Sequence, residues 1–413
     1  MTQVTRPPGS EPGGLAARVS LGRRFTPVSS EFLLIASTAL LLTLFGLVMV
    51  LSATSATAVA SGNDPTSGAL RQGIFALLGV PLMFLISRFP LRFLKRMAWP
   101  ALFLAVALQL LVFTPLGVAD GGNRNWIQLA GVQMQPSEFL KLALALWIAF
   151  VLLRKRAMLG TWHHVFIPVI PVGALAIGTV LAGRDLGTAM VLVLILLGCL
   201  FFSGVKLRLF IIPVVLGVVA VLAYALSSAD RMRRITANCD DMALYHTDCY
   251  QSIHGIWGMA NGGIFGLGLG NSQEKYGWLP APGNDFIFAI VGEELGLIGC
   301  LVVLALFTFF TVGAFHIIRK TPDPFVRVAA GGITVWIVGQ AVLNIGVVVG
   351  LFPVMGVPLP FMSQGGTALL AVLIACGVLL AFARTIPVAD RRDATASRPA
   401  PRNPPTGRGR VAR

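Results

Sequence analysis

Charge is what this chain has least of. Asp, Glu, Lys and Arg make up only 12% of its 413 residues, where an average soluble domain has about 25%. Acids are the scarcer sign, 17 against 32 Lys and Arg. With 56% hydrophobic residues and a mean hydropathy of +0.81, no soluble fold of this length hides so much apolar surface. A net charge of +15 would suggest nucleic acid on a soluble protein. Here the basic residues sit between long apolar runs, so they read as topology signals and imply no nucleic-acid partner. Cysteine is nearly absent, five in all, and no standard zinc spacing occurs. This is the composition of a polytopic membrane protein.

A helix crossing ~30 Å of hydrocarbon needs about 20 apolar residues. Suitable runs begin near Phe32, Gly73, Ala98, Phe139, Val165, Leu186, Leu209, Phe286, Phe325 and Thr367. They predict an all-α polytopic integral membrane protein with ten transmembrane helices in residues 31–384, and a long external loop, about 228–284, between helices 7 and 8. Most basic residues then fall on one side: Arg23 and Arg24, Arg88 to Arg96, Arg154 to Arg156, Lys206 and Arg208, Arg319 to Arg327, and the C-terminal arginines. Cytoplasmic loops carry such an excess, which places both termini in the cytoplasm. Arg23-Arg24, the first apolar run and Ala58-Val59-Ala60 resemble a signal peptide. The run is longer than the roughly 7–15 residues of a signal core and reads as an uncleaved first span. Residues 1–30 and 385–413, rich in Pro, Gly and Arg, predict disordered tails. The basic C-terminal tail either rests on anionic headgroups or simply enforces topology.

A few charges fall inside the predicted spans. Glu138 and Lys141 open the fourth, Asp185 the sixth, and Asp285, Glu293 and Glu294 the eighth. Such groups are costly in lipid and face a protein interior or a wet cavity. All lie near the outer helix ends, where one outward-open cavity would collect them. Glu138 and Lys141 share a helix face and can pair, either to organise that cavity or only to hold helices together. In the long loop, Tyr250 to Met259 mixes apolar and polar groups, Gln251 and Ser252 among them, at a spacing that suits an interfacial helix. Gly262, Gly266 and Gly270 suit either a small-residue packing face or a tight loop; no strand precedes them, so they are not a dinucleotide fingerprint. Cys239 and Cys249 lie where oxidation is allowed and are read as a disulfide in preference to a metal site with His246 or His254. Pro353, Pro358 and Pro360 break an apolar run ahead of the uncharged Ser363-Gln364-Gly365-Gly366, as in a partly re-entrant loop.

Together these motifs resemble the SEDS family (shape, elongation, division and sporulation) over roughly residues 31–384. The resemblance is carried by Gly121-Gly122-Asn123-Arg124-Asn125-Trp126-Ile127, Gln135-Pro136-Ser137-Glu138-Phe139-Leu140-Lys141, Asp185-Leu186-Gly187-Thr188, and the glycines 266, 268 and 270 with Lys275. Its most specific part is Asp285-Phe286-Ile287-Phe288-Ala289 followed by Gly292-Glu293-Glu294-Leu295-Gly296.

The resemblance implies a peptidoglycan glycosyltransferase that polymerises lipid II on the outer face of the cytoplasmic (inner) membrane. It implies no soluble cofactor, because the donor carries its own undecaprenyl pyrophosphate leaving group; a divalent cation is not derivable from the residues. Implied partners are lipid II and undecaprenyl-pyrophosphate-linked glycan, a class B penicillin-binding protein and other divisome proteins. Asp285 is implied as the catalytic general base. Arg124, Lys275, Gln251 and Ser252 are the candidate substrate contacts, Arg124 being preferred over the Arg231, Arg233 and Arg234 cluster. Glu138, Lys141, Asp185, Glu293 and Glu294 would organise the cavity. The chain departs from the family pattern at Ala281-Pro282-Gly283-Asn284, where a Glu and a His are usual, at Arg184 for a proline, and at Gln364 for a tyrosine. The stretch from Asn284 to Gly296 favours a division role of the FtsW type, at the septum. Gly356-Val357-Pro358-Leu359-Pro360 resembles the elongation, RodA, type. Two rival readings are a lipid II flippase, which needs polar groups along the whole path between faces, and a non-catalytic scaffold for the penicillin-binding protein, which does not need Asp285.

Overall fold

The computed structural model describes residues 29–120, 122–129, 131–226, 232–233, 239, 245–247 and 249–386. The two tails expected to be disordered fall almost wholly outside the described residues, as do Gly121, Arg231 and Arg234.

The helices are α1 (Ser30–Ala60), α2 (Ser67–Ile86), α3 (Leu91–Leu110), α4 (Pro136–Arg154), α5 (Trp162–Ala182), α6 (Leu186–Phe202), α7 (Leu207–Leu226), α8 (Tyr250–Gly262), α9 (Ile287–Lys320), α10 (Pro324–Val348) and α11 (Gly366–Ala383). Their starts carry the expected chemistry. Ser29 Oγ accepts from the Phe32 amide at 3.2 Å, Asp185 Oδ1 from the Thr188 amide at 2.9 Å, and Asp323 Oδ1 from the Phe325 amide at 2.9 Å. Each satisfies an amide that the first turn leaves unpaired. Among the described residues, eight helices are long and apolar enough to cross a membrane. Two shorter apolar stretches, Leu186–Phe202 and Arg208–Ala220, stand where the sequence suggests the other two spans. The chain is a multi-pass membrane protein.

α4 and α11 are buried over most of their surface and α10 over two thirds of its own, so these three form the centre of the bundle. α6 is also largely covered, with only Phe201 exposed, whereas α1, α2, α3, α5, α7 and α9 expose large apolar side chains, as lipid contact requires. At one end of the bundle Lys320 pairs with Glu31, and Lys95 with Asp323 at 2.6 Å.

The other end is not all helix. A three-stranded antiparallel sheet in the order β1 (Gly117–Asp120), β2 (Asn123–Leu129), β3 (Val132–Met134) joins α3 to α4, a sheet the sequence does not lead one to expect. Val118 faces Trp126 and Ala119 faces Arg124, so Asn125 is the extra residue of a bulge, a device that re-aims a side chain.

α9 is broken at Gly296, whose φ of 66° and ψ of −163° are not helical. The break is closed by the glycine-rich segment 263–270. Leu267 and Gly268 amides donate to the Glu293 and Glu294 carbonyls at 3.0 Å each, and Leu297 and Ile298 amides donate back to Gly263 and Ile264 at 2.9 and 3.3 Å. Gly266 has φ +81°, and a Cβ there would stand 2.2 Å from the Glu294 carbonyl oxygen. Gly266 and Gly270, at φ +81° and +85°, realise the tight-loop reading, whereas Gly262 ends α8 in close contact with Gly292.

Candidate functional site

The site lies at the sheet end, where the loop before α9 meets the proline-rich loop before α11. Prolines 353, 358 and 360 cannot donate, so this second loop is held mainly from outside. Gln340 Nε2 donates to the Pro358 carbonyl at 2.8 Å. Gln72 Nε2 donates to the Ser363 carbonyl and its Oε1 accepts from the Gly365 amide, both at 3.1 Å. Phe361 sits at φ +67°, a conformation that costs a bulky residue about 1–3 kcal/mol and persists only where its surroundings dictate it.

This loop and α10 in turn grip the residues before α9. Ser363 Oγ donates to the Asn284 carbonyl at 2.6 Å, the Gln364 amide to Gly283 at 2.7 Å, and Asn344 Nδ2 to the Asp285 carbonyl at 2.7 Å. Between these loops, α2 and the sheet lies a cavity of about 190 Å³, lined by Arg71, Gln72, Trp126, Gln133, Asn284 and Gln364 among others. Amide groups, one guanidinium and an indole make a lining suited to sugars and phosphate.

Four of the five acids singled out by the sequence are already engaged. Glu138 accepts from Lys141 at 2.8 Å, both 1% exposed, and Lys141 also donates to Gln340 Oε1 at 2.9 Å. Asp185 Oδ2 accepts from Asn125 at 2.9 Å and Gln135 at 3.1 Å, which is where the bulge aims Asn125. Glu293 accepts from Ser272 Oγ and the Gln273 amide. Glu294 accepts from Ser52 at 2.7 Å and Lys275 at 3.0 Å. Asp285 is different: among the described residues nothing donates to its carboxylate. Burial first, and the charge of Asp185 second, push its pKa up to about 6.

Lys275, expected to bind substrate, is enclosed. Its three ammonium hydrogens go to Gly270 O at 2.7 Å, Glu294 Oε1 at 3.0 Å and Ser52 Oγ at 3.1 Å, which leaves none for a ligand. Arg124 is exposed on β2 and spends one donor on the Thr114 carbonyl at 2.8 Å. Gln251 and Ser252 are half-buried on the first turn of α8, and neither lines the cavity. Glu293 and Glu294 organise the turn 272–275 rather than the cavity itself.

α8 does form, but it packs on α9, with Met259 and Gly262 against Gly292, and Ile253, His254, Gly255 and Gly258 are buried. His254 Nδ1 lies 2.7 Å from Glu274 Oε2 and its Nε2 lies 2.9 Å from the Tyr245 hydroxyl. Burial raises the Glu274 carboxyl above the usual range, against the pull of His254. Cys239 and Cys249 form a disulfide that closes the segment carrying Tyr245.

Sequence reasoning missed Arg71. It stands one turn into α2, just ahead of the apolar run that marks the span, and was masked by it. Gln340 and Asn344 were missed as isolated amides in an apolar helix; their only signal was polarity at helical spacing, i and i+4.

The sequence matches the FtsW/RodA/SpoVE family, described as cell cycle protein, over residues 32–386. The probable peptidoglycan glycosyltransferase FtsW of Mycobacterium tuberculosis is 37% identical over 384 residues, 92% of this chain and 73% of that one. Stage V sporulation protein E of Bacillus subtilis is 35% identical over 359 residues, 86% of this chain and 97% of the relative. Two solved structures share the fold at 24% identity, each covering 87% of this chain and 98% of the other. They are the rod shape determining protein RodA of Thermus thermophilus, at a TM-score of 0.64, and a chain from a peptidoglycan synthase complex that coordinates polymerization and crosslinking, at 0.69. A match that runs through nearly every described residue, from the first turn of α1 to the end of α11, means that the chain belongs to the FtsW/RodA/SpoVE family of cell cycle proteins.

Proposed function

We propose that this protein is a peptidoglycan glycosyltransferase that polymerises lipid II on the outer face of the cytoplasmic membrane, at the division septum, with both termini in the cytoplasm. The observation that carries the reading is the state of Asp285. Its neighbours' carboxylates are tied down by donors, whereas its own has no donor among the described residues and its pKa is raised to about 6, by burial first. A general base works best with a pKa near the operating pH.

In the reaction, an acceptor sugar hydroxyl attacks the anomeric carbon of the lipid-linked donor. The new glycosidic C–O bond forms as the bond to pyrophosphate breaks, the pyrophosphate leaves with that electron pair, and the hydroxyl proton passes to the Asp285 carboxylate. Charge building on the pyrophosphate needs a cation; Arg71, in the cavity wall, and Arg124, exposed on β2, fill that role. Trp126 and the amides of Gln133 and Gln364 suit a sugar face and its hydroxyls. The leaving group travels on the donor, so no soluble cofactor is required. A class B penicillin-binding protein is the partner that crosslinks the strands. The FtsW name of relatives at 37% identity supports the septal role.

The test is glycan-chain synthesis from lipid II by the purified protein with its partner. Asp285→Asn abolishes chains while the complex still assembles; full activity in that variant removes Asp285 as base. Arg71→Gln raises KM for lipid II more than Arg124→Gln does.

A further inference from the structure

α10 is almost entirely apolar, yet Trp336, Gln340 and Asn344 follow one another at intervals of four residues, which stacks them on one face. Trp336 Nε1 and Lys141 Nζ both donate to Gln340 Oε1 at 2.9 Å. That fixes the amide so that Nε2 meets the Pro358 carbonyl at 2.8 Å. One turn further, Asn344 Nδ2 donates to Val357 O at 2.8 Å and to Asp285 O at 2.7 Å. Two consecutive carbonyls of the proline-rich loop are thus held from two consecutive turns. Of the two amides, only Asn344 also reaches Asp285.

Asn344 is 1% exposed, and its Oδ1 has no partner among the described residues. An amide oxygen buried without a donor is costly, so the side chain is kept there by its two N–H bonds. Asp185 has a carboxylate pinned by three donors. The Asp285 carboxylate has none among the described residues, and its Oδ2 lies close to Gly356, where a Cβ would be 3.8 Å away. An aspartate side chain has only two torsions. With no donor on its oxygens, its direction follows its backbone.

We propose that Asn344 is the positioning residue for Asp285, clamping the carbonyl of Asp285 to that of Val357 so that the carboxyl keeps its place beside Gly356. This rests on Asp285 being the base in the reaction above. A displacement of about 1 Å at a reacting group lowers rates by roughly a hundredfold.

The experiment compares Asn344→Leu, which has similar volume and no donor, with Gln340→Met, which frees the same loop at Pro358 without touching Asp285. Both are measured as full-length protein with lipid II, alongside Asp285→Asn and thermal unfolding. Asn344→Leu is expected to lower kcat by about 10- to 100-fold with KM within about twofold of the parent, and to move the acid limb of the pH–rate profile. Gln340→Met is expected to lower the melting temperature while leaving that limb in place. Wild-type kcat in Asn344→Leu, or the same kcat loss and an unmoved limb in both variants, overturns the assignment. If Asn344→Leu does not survive purification, Asn344→Ser keeps one donor and is expected to fall between; a wild-type kcat and limb in it overturn the proposal equally. Retained polymerisation in Asp285→Asn removes the base instead, whatever Asn344 does.

Discussion

The negative charge of Asp185 opposes the ionisation of Asp285. Asp185 accepts from the Thr188 amide and from the side-chain amides of Asn125 and Gln135. All three donors are neutral, so they hold the carboxylate without cancelling its field. The Asp285 carboxyl is thereby raised by a second acid whose own oxygens are occupied by neutral donors.

A base with a pKa of about 6 is protonated and inactive below that value. The kcat/KM for lipid II therefore rises through about pH 6 to a plateau above it. Asp185→Asn removes the like charge and lowers the Asp285 pKa, so the acid limb moves to lower pH. A limb at the same pH in parent and variant would separate the two residues.

Among the described residues Lys141 is the donor to Glu138; both lie buried on α4, with Lys141 against Gln340 of α10. Lys141→Met strands a buried carboxylate, and removal of one partner from such a pair costs about 3–5 kcal/mol. The double variant Glu138→Gln/Lys141→Met is expected to regain much of this loss in thermal unfolding. Equal stability of the single and double variants would mean that the pair carries no coupling.

Gly266 and Gly270 both have positive φ, +81° and +85°, but only Gly266 faces backbone where a Cβ would go. Gly270→Ala is expected to cost about 1 kcal/mol from backbone conformation alone. Gly266→Ala adds a clash with the Glu294 carbonyl and is expected to be clearly the less stable of the two. Matching melting temperatures would place the 263–270 segment away from the α9 break.

All five cysteines are unreactive in the folded protein, two in the Cys239–Cys249 disulfide and three buried. A membrane-impermeant maleimide should label nothing before reduction and two thiols after it. Reduction also releases the segment that seats Tyr245 on His254, so Trp257 fluorescence, 5.6 Å from the Tyr245 ring, is expected to change at the same time. Labelling without reductant would contradict the bond.

The apolar runs announce their helices because in lipid every backbone group must bond within its own segment, and a long apolar stretch has no other solution. The pairing of Glu138 with Lys141 was also legible, since charge inside a span has few explanations and the two share a helix face. The sheet was not: its strands are three to seven residues long and rich in Gly, Asn and Gln, without alternation. Nor was the fate of Lys275, because its partner Ser52 lies 223 positions away and only packing brings α1 to that turn. Arg71 reads as the flank of a span until the cavity beside it is in view.

The break at Gly296 leaves 24 residues of α9 beyond it, from Leu297 to Lys320, and at 1.5 Å per residue these alone reach ~36 Å, enough to traverse the hydrocarbon. The piece from Ile287 to Leu295 is therefore surplus to the crossing. It is tied by the four backbone bonds at the break to a hook that is remote in sequence. Segments joined in this way open together in native-state fluctuations. The amides of Leu267, Gly268, Leu297 and Ile298 thus form one exchange unit, and the helix that follows Asp285 cannot loosen without the glycine hook loosening too.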